Sequence, residues 1–527
     1  MPIIAKVAVN DATIHFDKLY SYLVPDSLVQ GVRPGGIVLV PFGRGDKPRM
    51  AVVLAMQNGA ADPRLKTILA AAPEDAHLTP SLLELVHFLR DRYFCTWYEA
   101  VKAIIPYGAQ YQPGVRDGKP AVISRLTRPV ERVYTLVGDL PEKPKPGPRQ
   151  QAAVALLRES PCTQRELEEQ GISRATLDGL CRKGVLRAVE RYKSLDLFAD
   201  IPFDPRPVAL SASQQAAYDA LAADLEADEA RAALLFGVTG SGKTLVFLKL
   251  IERTLALGRR ALVLVPEIGL TPQMIRRLKA MFGSRLAVQH SALNNTERLL
   301  QWRMIQQGNA DIVVGTRSAI FAPLENIGLI ILDEEQEHTY QSESSPRYSA
   351  HEVARKRAAS EKALLVFASA TPRIETCFAA KAGRMRLVTL TERYGGRPLP
   401  TVEFADMRAE LTAGNPREVS ARLAEELQQN LARKEQSILL LNRRGYNTVA
   451  MCADCGEVLK CPNCSVPLVY HKNRQALLCH HCGHQLRPAP ARCPQCGGKL
   501  VYSGFGTQRG EEELAELLPQ ARVLRMD

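Results

Sequence analysis

The chain has 527 residues, more than one ordinary core organises, so three or four domains are expected. Lys and Arg number 68 against 56 Asp and Glu, a formal charge of +12 that favours a polyanionic partner, nucleic acid ahead of an anionic membrane surface. The start MPIIAKVAVNDATIHF lacks the basic-then-apolar layout of a secretion signal, and no apolar run approaches the roughly 18 residues of a membrane span, so a cytoplasmic protein without a membrane segment is expected.

Residues 1–105 carry short β-rich runs, VAVN, YSYLVP, GIVLVPFG and MAVVLAM, split by Pro and Gly and followed by the amphipathic LLELVHFLRDRYF. The pattern predicts a small barrel plus a helix. Residues 106–200 open on a proline-rich basic stretch, in which PEKPKPGPRQ can be neither a regular helix nor a central strand and reads as a linker or extended arm. TQRELEEQGISRATLDGLCRKGVLR then shows two short helical periods joined by a Gly turn, the layout of a helix-turn-helix or winged helix. Such a unit either packs against its neighbours or contacts DNA.

From Arg231 the rhythm changes to near-continuous apolar runs between amphipathic helices: AALLFGV, ALVLVPE, DIVVGT, GLIILDEE, ALLVFASA and later SILLLN. Runs of this kind predict a parallel sheet covered on both faces, hence a multidomain α/β protein. We divide it into a lobe over 201–395 and a second over 396–527. GVTGSGKT fits the phosphate-loop pattern GxxxxGK[ST] between a strand-like and a helix-like segment. Gly237, Val238, Thr239, Gly240, Ser241 and Gly242 would turn backbone N–H groups toward phosphates. Lys243 would reach the β and γ phosphates of ATP, and the Thr244 hydroxyl would coordinate Mg2+. The acids ending GLIILDEE fall where ligands gather, at the carboxyl end of a parallel strand. Asp333 is assigned to the metal and Glu334 to the attacking water.

Eight of the 12 cysteines form four CxxC pairs: Cys452 with Cys455, Cys461 with Cys464, Cys479 with Cys482, and Cys493 with Cys496. Each turn aims two sulfurs at one point, so eight sulfurs predict two closed structural zinc sites in a module over 450–500, with disulfides the competing chemistry. Spacing does not say which pairs join. His471, His480, His481 and His484 lie nearby and could substitute for a sulfur, though the full set of sulfurs favours a bystander role for them. The other four cysteines are scattered.

The order of the phosphate loop, VPEIGLTPQ, GTRSA, DEE and SATP resembles the superfamily 2 helicases. That resemblance implies that Ser369, Ala370 and Thr371 couple hydrolysis to lobe movement, that Pro266, Thr316 and Arg317 lie along the DNA, and that Gln214 of LSASQ reads adenine. With HSALNNTERL, the cysteine array after SILLLNRRGYN, and GFGTQRGEEEL, the chain is similar over essentially its whole length to the bacterial primosomal replication-restart helicases, the PriA family. The family implies an N-terminal domain that captures the 3′ end of a nascent strand, a winged helix, and two RecA-like lobes with two Zn2+ in the second. It implies ATP-driven 3′ to 5′ unwinding of forked and single-stranded DNA, with primosome proteins, single-strand-binding protein and a replicative helicase loader as partners. It pairs Cys452 and Cys455 with Cys493 and Cys496, and Cys461 and Cys464 with Cys479 and Cys482. In LYSYLVP and LKTIL it marks Tyr20, Tyr22 and Lys66 as the 3′-end pocket, and in TYQSESSPRY it marks Tyr340, Arg347 and Tyr348 as a DNA-sensing loop.

Departures are informative. Ser21 stands where many relatives carry aspartate, and Gln336 follows the acids where the family usually has histidine. The chain stops at VLRMD without the family's GRxGR segment, so the expectation is an incomplete version of the enzyme whose final ARVLRMD strand lacks neighbours. The competing expectation is a fork-binding protein that holds nucleotide, zinc and DNA without turnover; an RNA helicase is a third.

Overall fold

A computed structural model describes residues 2–524 except 11, 60–61, 73–76, 107–110, 125, 127–129, 139–146, 193–200, 206–207, 268–271, 397, 399, 416, 418, 441–447, 472–475 and 505–512. The chain divides into two compact units, Met1–Pro398 and Leu399–Asp527. The expected boundaries after 105 and 200 fall inside the first.

The first unit opens with β1 (Ile3–Val9), β2 (Tyr20–Leu23), β3 (Ile37–Phe42), β4 (Lys47–Asn58) and β5 (Ala70–Ala71), a sheet in the order β2-β1-β4-β3-β5. Its ends meet: Leu23 donates its N–H to the Lys66 carbonyl and accepts from Ile68, while Leu69 and Ala72 bond β3. Residues 66–72 therefore close the expected small barrel, which removes a free edge. Helices α1 (Pro80–Arg92) and α2 (Trp97–Ile104) follow. Thr79 caps α1 with Pro80 in its first turn, and Thr96 with Glu99 forms a capping box on α2. A two-stranded ribbon, β6 (Tyr111–Arg116) and β7 (Lys119–Ser124), leads to β8 (Val130–Leu136), α3 (Pro148–Glu159), β9 (Cys162–Thr163), α4 (Gln164–Glu169), α5 (Arg174–Arg182) and β10 (Leu186–Tyr192). Here β8 pairs antiparallel with both β9 and β10, and the helices close over Tyr134, Leu157, Leu167, Leu177 and Leu180, a winged-helix layout with a core of its own.

The lobe continues through α6 (Ala212–Leu225), β11 (Arg231–Gly237), α7 (Lys243–Ala256), β12 (Arg260–Leu264), α8 (Pro272–Phe282), β13 (Leu286–Gln289), α9 (Asn295–Gln306), β14 (Ile312–Gly315), β15 (Ile327–Leu332), α10 (Ala350–Glu361), β16 (Leu364–Ser369), α11 (Ile374–Lys381) and β17 (Arg386–Leu390). The sheet is parallel throughout, in the order β13-β14-β12-β15-β16-β11-β17. Successive residues of its strands feed opposite cores. Leu262, Leu264, Ile330, Leu332, Leu365 and Phe367 join one; Val263, Val265, Leu329, Ile331, Val366 and Ala368 join the other. Burial on both faces is why these strands read as unbroken apolar runs. The first of these cores also holds Leu82, Leu85, Leu89, Val101 and Ile104 of α1 and α2, so the N-terminal helices are fused to the lobe by shared apolar packing.

The second unit holds α12 (Met407–Thr412), α13 (Ala421–Ala432), β18 (Thr448–Cys452), β19 (Val469–His471), β20 (Ala476–Leu478), β21 (Gln485–Leu486) and β22 (Leu500–Gly504), with a sheet ordered β21-β20-β19-β18-β22. The expected strand SILLLN is corrected: residues 437–440 form no strand, and Ile438 and Leu440 are 96% and 93% exposed. Residues 521–524 of ARVLRMD form none either. An apolar segment becomes a strand only beside a partner that completes its ladder, and among the described residues none lies there.

Candidate functional site: nucleotide and zinc centres

The phosphate loop joins β11 to α7. Gly240 and Gly242 sit at φ 80° and 79°, a left-handed region open to glycine. A Cβ on Gly237 would stand 2.6 Å from Ser241 Oγ, and one on Gly242 would strike the Gln214 amide. The loop is held shut in three places. Val238 N–H donates to Leu390 O, Ser241 N–H to Val238 O, and Gln214 Nε2 to Ser241 O at 2.8 Å. Gln214 is buried, and its Oε1 accepts from Ser211 N–H at 2.9 Å, so both ends of the amide are committed to the chain where the sequence reading had placed adenine.

Lys243 Nζ donates to Gly237 O at 3.0 Å and stands 3.9 Å from Glu334 Oε1. The acids are fixed by the two strands flanking β15. Asp333 N–H donates to Leu264 O and Glu335 N–H to Ala368 O. Between them Glu334 takes φ 44°, a left-handed conformation costing an ordinary residue roughly 1–2 kcal/mol. The turn brings its carboxylate to Lys243. Burial, and then the charge of Glu334, push the Asp333 carboxyl up to about 6 against the pull of Lys243.

Gln336 completes the line. Its Nε2 donates to Glu334 Oε2 at 3.0 Å and its Oε1 accepts from Ser369 Oγ at 2.5 Å, while Ser369 Oγ accepts from Thr371 N–H at 2.8 Å. The glutamine thus bridges the acids to SATP by donating at one end and accepting at the other, as a neutral histidine also can. Gln336→His is accordingly expected to change DNA-stimulated hydrolysis by less than about tenfold, ~1.4 kcal/mol; a rise of several orders of magnitude would mark the glutamine as a lesion.

The donors present fit Mg2+ and a nucleotide. Ser241 Oγ is buried without a hydrogen-bond partner, Lys243 hydrogen-bonds the Gly237 carbonyl with Glu334 farther off at 3.9 Å, and Asp333 is a carboxyl that burial and Glu334 hold above its ordinary range.

Along the expected DNA path, Thr316 and Arg317 line a pocket of about 550 Å3 with Gln289, His290, Trp302 and Gln341. Arg317 Nη1 donates to the carbonyls of Thr339 and Gln341, and its guanidinium faces the Tyr348 ring. Pro266 is buried just before residues 268–271, which lie outside the described residues, as do RRGYN and GTQRGEE. Tyr340 and Tyr348 are 1% and 5% exposed, and the Tyr340 hydroxyl donates to Asp333 O at 2.7 Å. Their rings therefore face protein, while Arg347 is exposed. Tyr22 is 4% exposed with its hydroxyl on Pro41 O, again a wall and not an open surface. Tyr20 stays partly open against Phe42, Lys66 Nζ is 2.6 Å from Asp46 Oδ1, and Ser21 Oγ accepts from Lys6.

The cysteines gather as two sets, Cys452, Cys455, Cys493 and Cys496, and Cys461, Cys464, Cys479 and Cys482, with the sulfurs of each within 4.8 Å of one another. Sγ separations of 3.4 Å (Cys452 to Cys496), 3.8 Å (Cys455 to Cys493) and 3.5 Å (Cys461 to Cys482) are far beyond a disulfide bond and close to the roughly 3.8 Å edge of a tetrahedron with Zn–S near 2.3 Å. Within each set the thiols split: backbone N–H groups of Cys455 and His484 pull Cys452 down to about 7 and Cys482 to about 6, whereas the Cys482 sulfur pushes Cys464 up to about 12 and, against the Gly498 N–H, neighbouring sulfurs push Cys496 up to about 12. His480, His481 and His484 belong to neither set.

Three family models match: a DEAD/DEAH box helicase over 211–378, a PriA 3′ DNA-binding domain over 6–106, and the Cys-rich region of PriA DNA helicase over 461–487. The replication restart protein PriA of Bacillus subtilis is 36% identical over 99% of this chain and 72% of its own length. This chain belongs to the PriA family. The PriA of Chlamydia trachomatis serovar D is 34% identical over 99% of the chain and 70% of its own length. Membership makes the chain an ATP-dependent DNA helicase of replication restart that uses ATP with Mg2+ and carries two Zn2+, and the sulfurs adopt the outer-with-outer, inner-with-inner pairing that the resemblance implies. No helix of the described residues is long and apolar enough to cross a membrane. Two groups escaped the sequence reading. Arg393 lays its Nε on Thr239 O beside the phosphate loop, and Glu335 with His351 forms a buried pair at 2.9 Å. The third acid of DEE was the only available signal.

Proposed function

We propose that Lys243, Asp333 and Glu334 are the catalytic groups of an ATPase that drives 3′ to 5′ unwinding at stalled forks. The line from Lys243 through Glu334 and Gln336 to Ser369 carries this reading, because it connects phosphate loop, acids and SATP in one set of contacts. Gly237 to Gly242 would cradle the phosphates. Thr244 and Asp333 would hold Mg2+, which supplies charge neutralisation on the phosphate oxygens. Glu334, on its raised turn, orients and deprotonates the attacking water, and Lys243 offsets the charge that develops on the transferred group. Arg317 and Arg347 would lie along single-stranded DNA, and Tyr20 and Lys66 would meet a 3′ end. Recruitment of primosome proteins, single-strand-binding protein and a helicase loader in the bacterial cytoplasm completes the role. Single-turnover ATP hydrolysis with and without forked DNA tests it: strong stimulation, greater on DNA than on RNA forks, supports the motor, and none supports a binding protein without turnover.

The Asp333 carboxyl gives a signed pH dependence. Its folded value near 6 lies above the ordinary 3.8, so without a cation the ionised group costs stability above pH 6, and that cost fades as the pH falls below it. Mg2+ competes with this proton. Apparent Mg2+ affinity should therefore drop by up to about tenfold per pH unit below pH 6, readable by calorimetric titration of nucleotide with and without Mg2+; a flat profile from pH 5 to 7 would assign the metal elsewhere.

A further inference from the structure

Glu335, between the catalytic acids and Gln336, is fully buried, and its polar partners lie outside the phosphate loop. Its Oε1 accepts from the N–H of Arg373, just past SATP, at 2.7 Å. Its Oε2 accepts from Thr376 Oγ1 at 3.2 Å and from His351 Nε2 at 2.9 Å, and its own carbonyl takes a second bond from that nitrogen at 2.8 Å. Burial alone would raise this carboxyl; the bonds from His351 and Arg373 outweigh it and hold it below its ordinary value. His351 is the second residue of α10, clamped between the stacked ring of Phe367 and the edge of Tyr340.

The opposite face of that first turn belongs to the N-terminal helices. Glu352 accepts from Arg92 Nε and Nη2 at 2.9 and 3.0 Å and from the Tyr93 hydroxyl at 2.9 Å. The Tyr93 hydroxyl in turn accepts the N–H of Ser349, the residue just before α10, at 3.2 Å. Further along, Lys356 and Ser360 meet Glu84, so positions 352, 356 and 360 form one stripe that runs antiparallel to α1. Adjacent residues of α10 therefore hold the 3′ DNA-binding region on one side and the DEE and SATP segments on the other.

We infer that Glu352 and Glu335 are positioning residues that make α10 the rigid link through which DNA held by the N-terminal region sets the geometry of the ATP site. The inference rests on the ATP-driven reading above and names the internal route by which that site is regulated. Exposed ion pairs such as Arg92 with Glu352 add little to stability. Glu352→Gln should therefore fold normally and keep basal, DNA-free ATP hydrolysis.

The expected result is that Glu352→Gln lowers stimulation by forked DNA with a free 3′ hydroxyl by about fivefold or more, with basal hydrolysis unchanged. Glu335→Gln should give a similar loss, and the double variant no further loss, because both break one route. Full additivity of the two losses, or stimulation within twofold of the parent protein, overturns the link. An arm without DNA or nucleotide keeps the test independent of the helicase reading: backbone amide exchange over 333–337 and 371–376 should be about tenfold faster in Glu352→Gln. Equal exchange overturns the inference whatever the ATPase result, whereas a parent protein without fork stimulation but with this exchange difference would overturn only the proposed function.

Discussion

Lys243→Ala is expected to lower DNA-stimulated ATP hydrolysis by about 10²–10³-fold, the loss typical when one preorganised charge donor is removed from a transition state. The ammonium is nearly buried, held by Gly237 O and aimed past Glu334 toward the space over the phosphate loop. Its removal strands no ionised group, because Glu334 is partly exposed and also bonded to Gln336, and the Asp333 carboxyl, losing the pull of Lys243, can take up a proton. Stability should thus barely move, and a thermal melt close to the parent's would separate a chemical defect from a folding one. Glu334→Gln supplies the complementary measurement. It removes the base but keeps a side chain that can bond Gln336, so nucleotide should still bind while single-turnover hydrolysis collapses. Hydrolysis within fivefold of the parent in both variants would remove these residues from the chemistry.

Loss of zinc should act on the second unit alone. Metal analysis of the native protein is expected to give about two Zn2+ per chain, and strong chelation should unfold the module spanned by β18 to β22, since structural zinc supplies about 10–16 kcal/mol of folding free energy in small domains. Its own core is a handful of residues, Ala450, Leu459, Leu468, Leu477 and Leu500 among the cysteines, too few to stand without metal. Cys493→Ser should release one Zn2+ and open the β18 and β22 end of the sheet to protease, while the inner set retains the other. The unit Met1–Pro398 contains none of the eight ligands and should keep its melting transition through both treatments. One zinc or none in the native protein would refute the two-site reading.

The strands of the first lobe were legible because burial on both faces leaves an apolar run, and the phosphate loop and acids were legible because their chemistry demands fixed residue types. The edge strands β13 and β17 were missed; β17 buries only two of its five residues, so its sequence carries no such run. Residues 437–440 of SILLLN belong to one and form no strand, since hydrogen-bond partners and not hydropathy decide that. Tyr22, Tyr340 and Tyr348 were expected at DNA on the resemblance alone, and their rings are buried in the protein.

By itself the sequence determined the chemistry available: a phosphate loop, two acids at a strand end, eight thiols and the family to which their order belongs. Tertiary structure alone decided who meets whom. It joined the outer cysteine pairs and the inner ones, bridged Glu334 to Ser369 through Gln336, and set Glu335 against His351 and α10 against α1. Local spacing fixes how residues sit within one turn or strand. Contacts between elements far apart in the chain depend on how the sheet orders its strands and which helix faces pack, and no short stretch of sequence encodes that by itself.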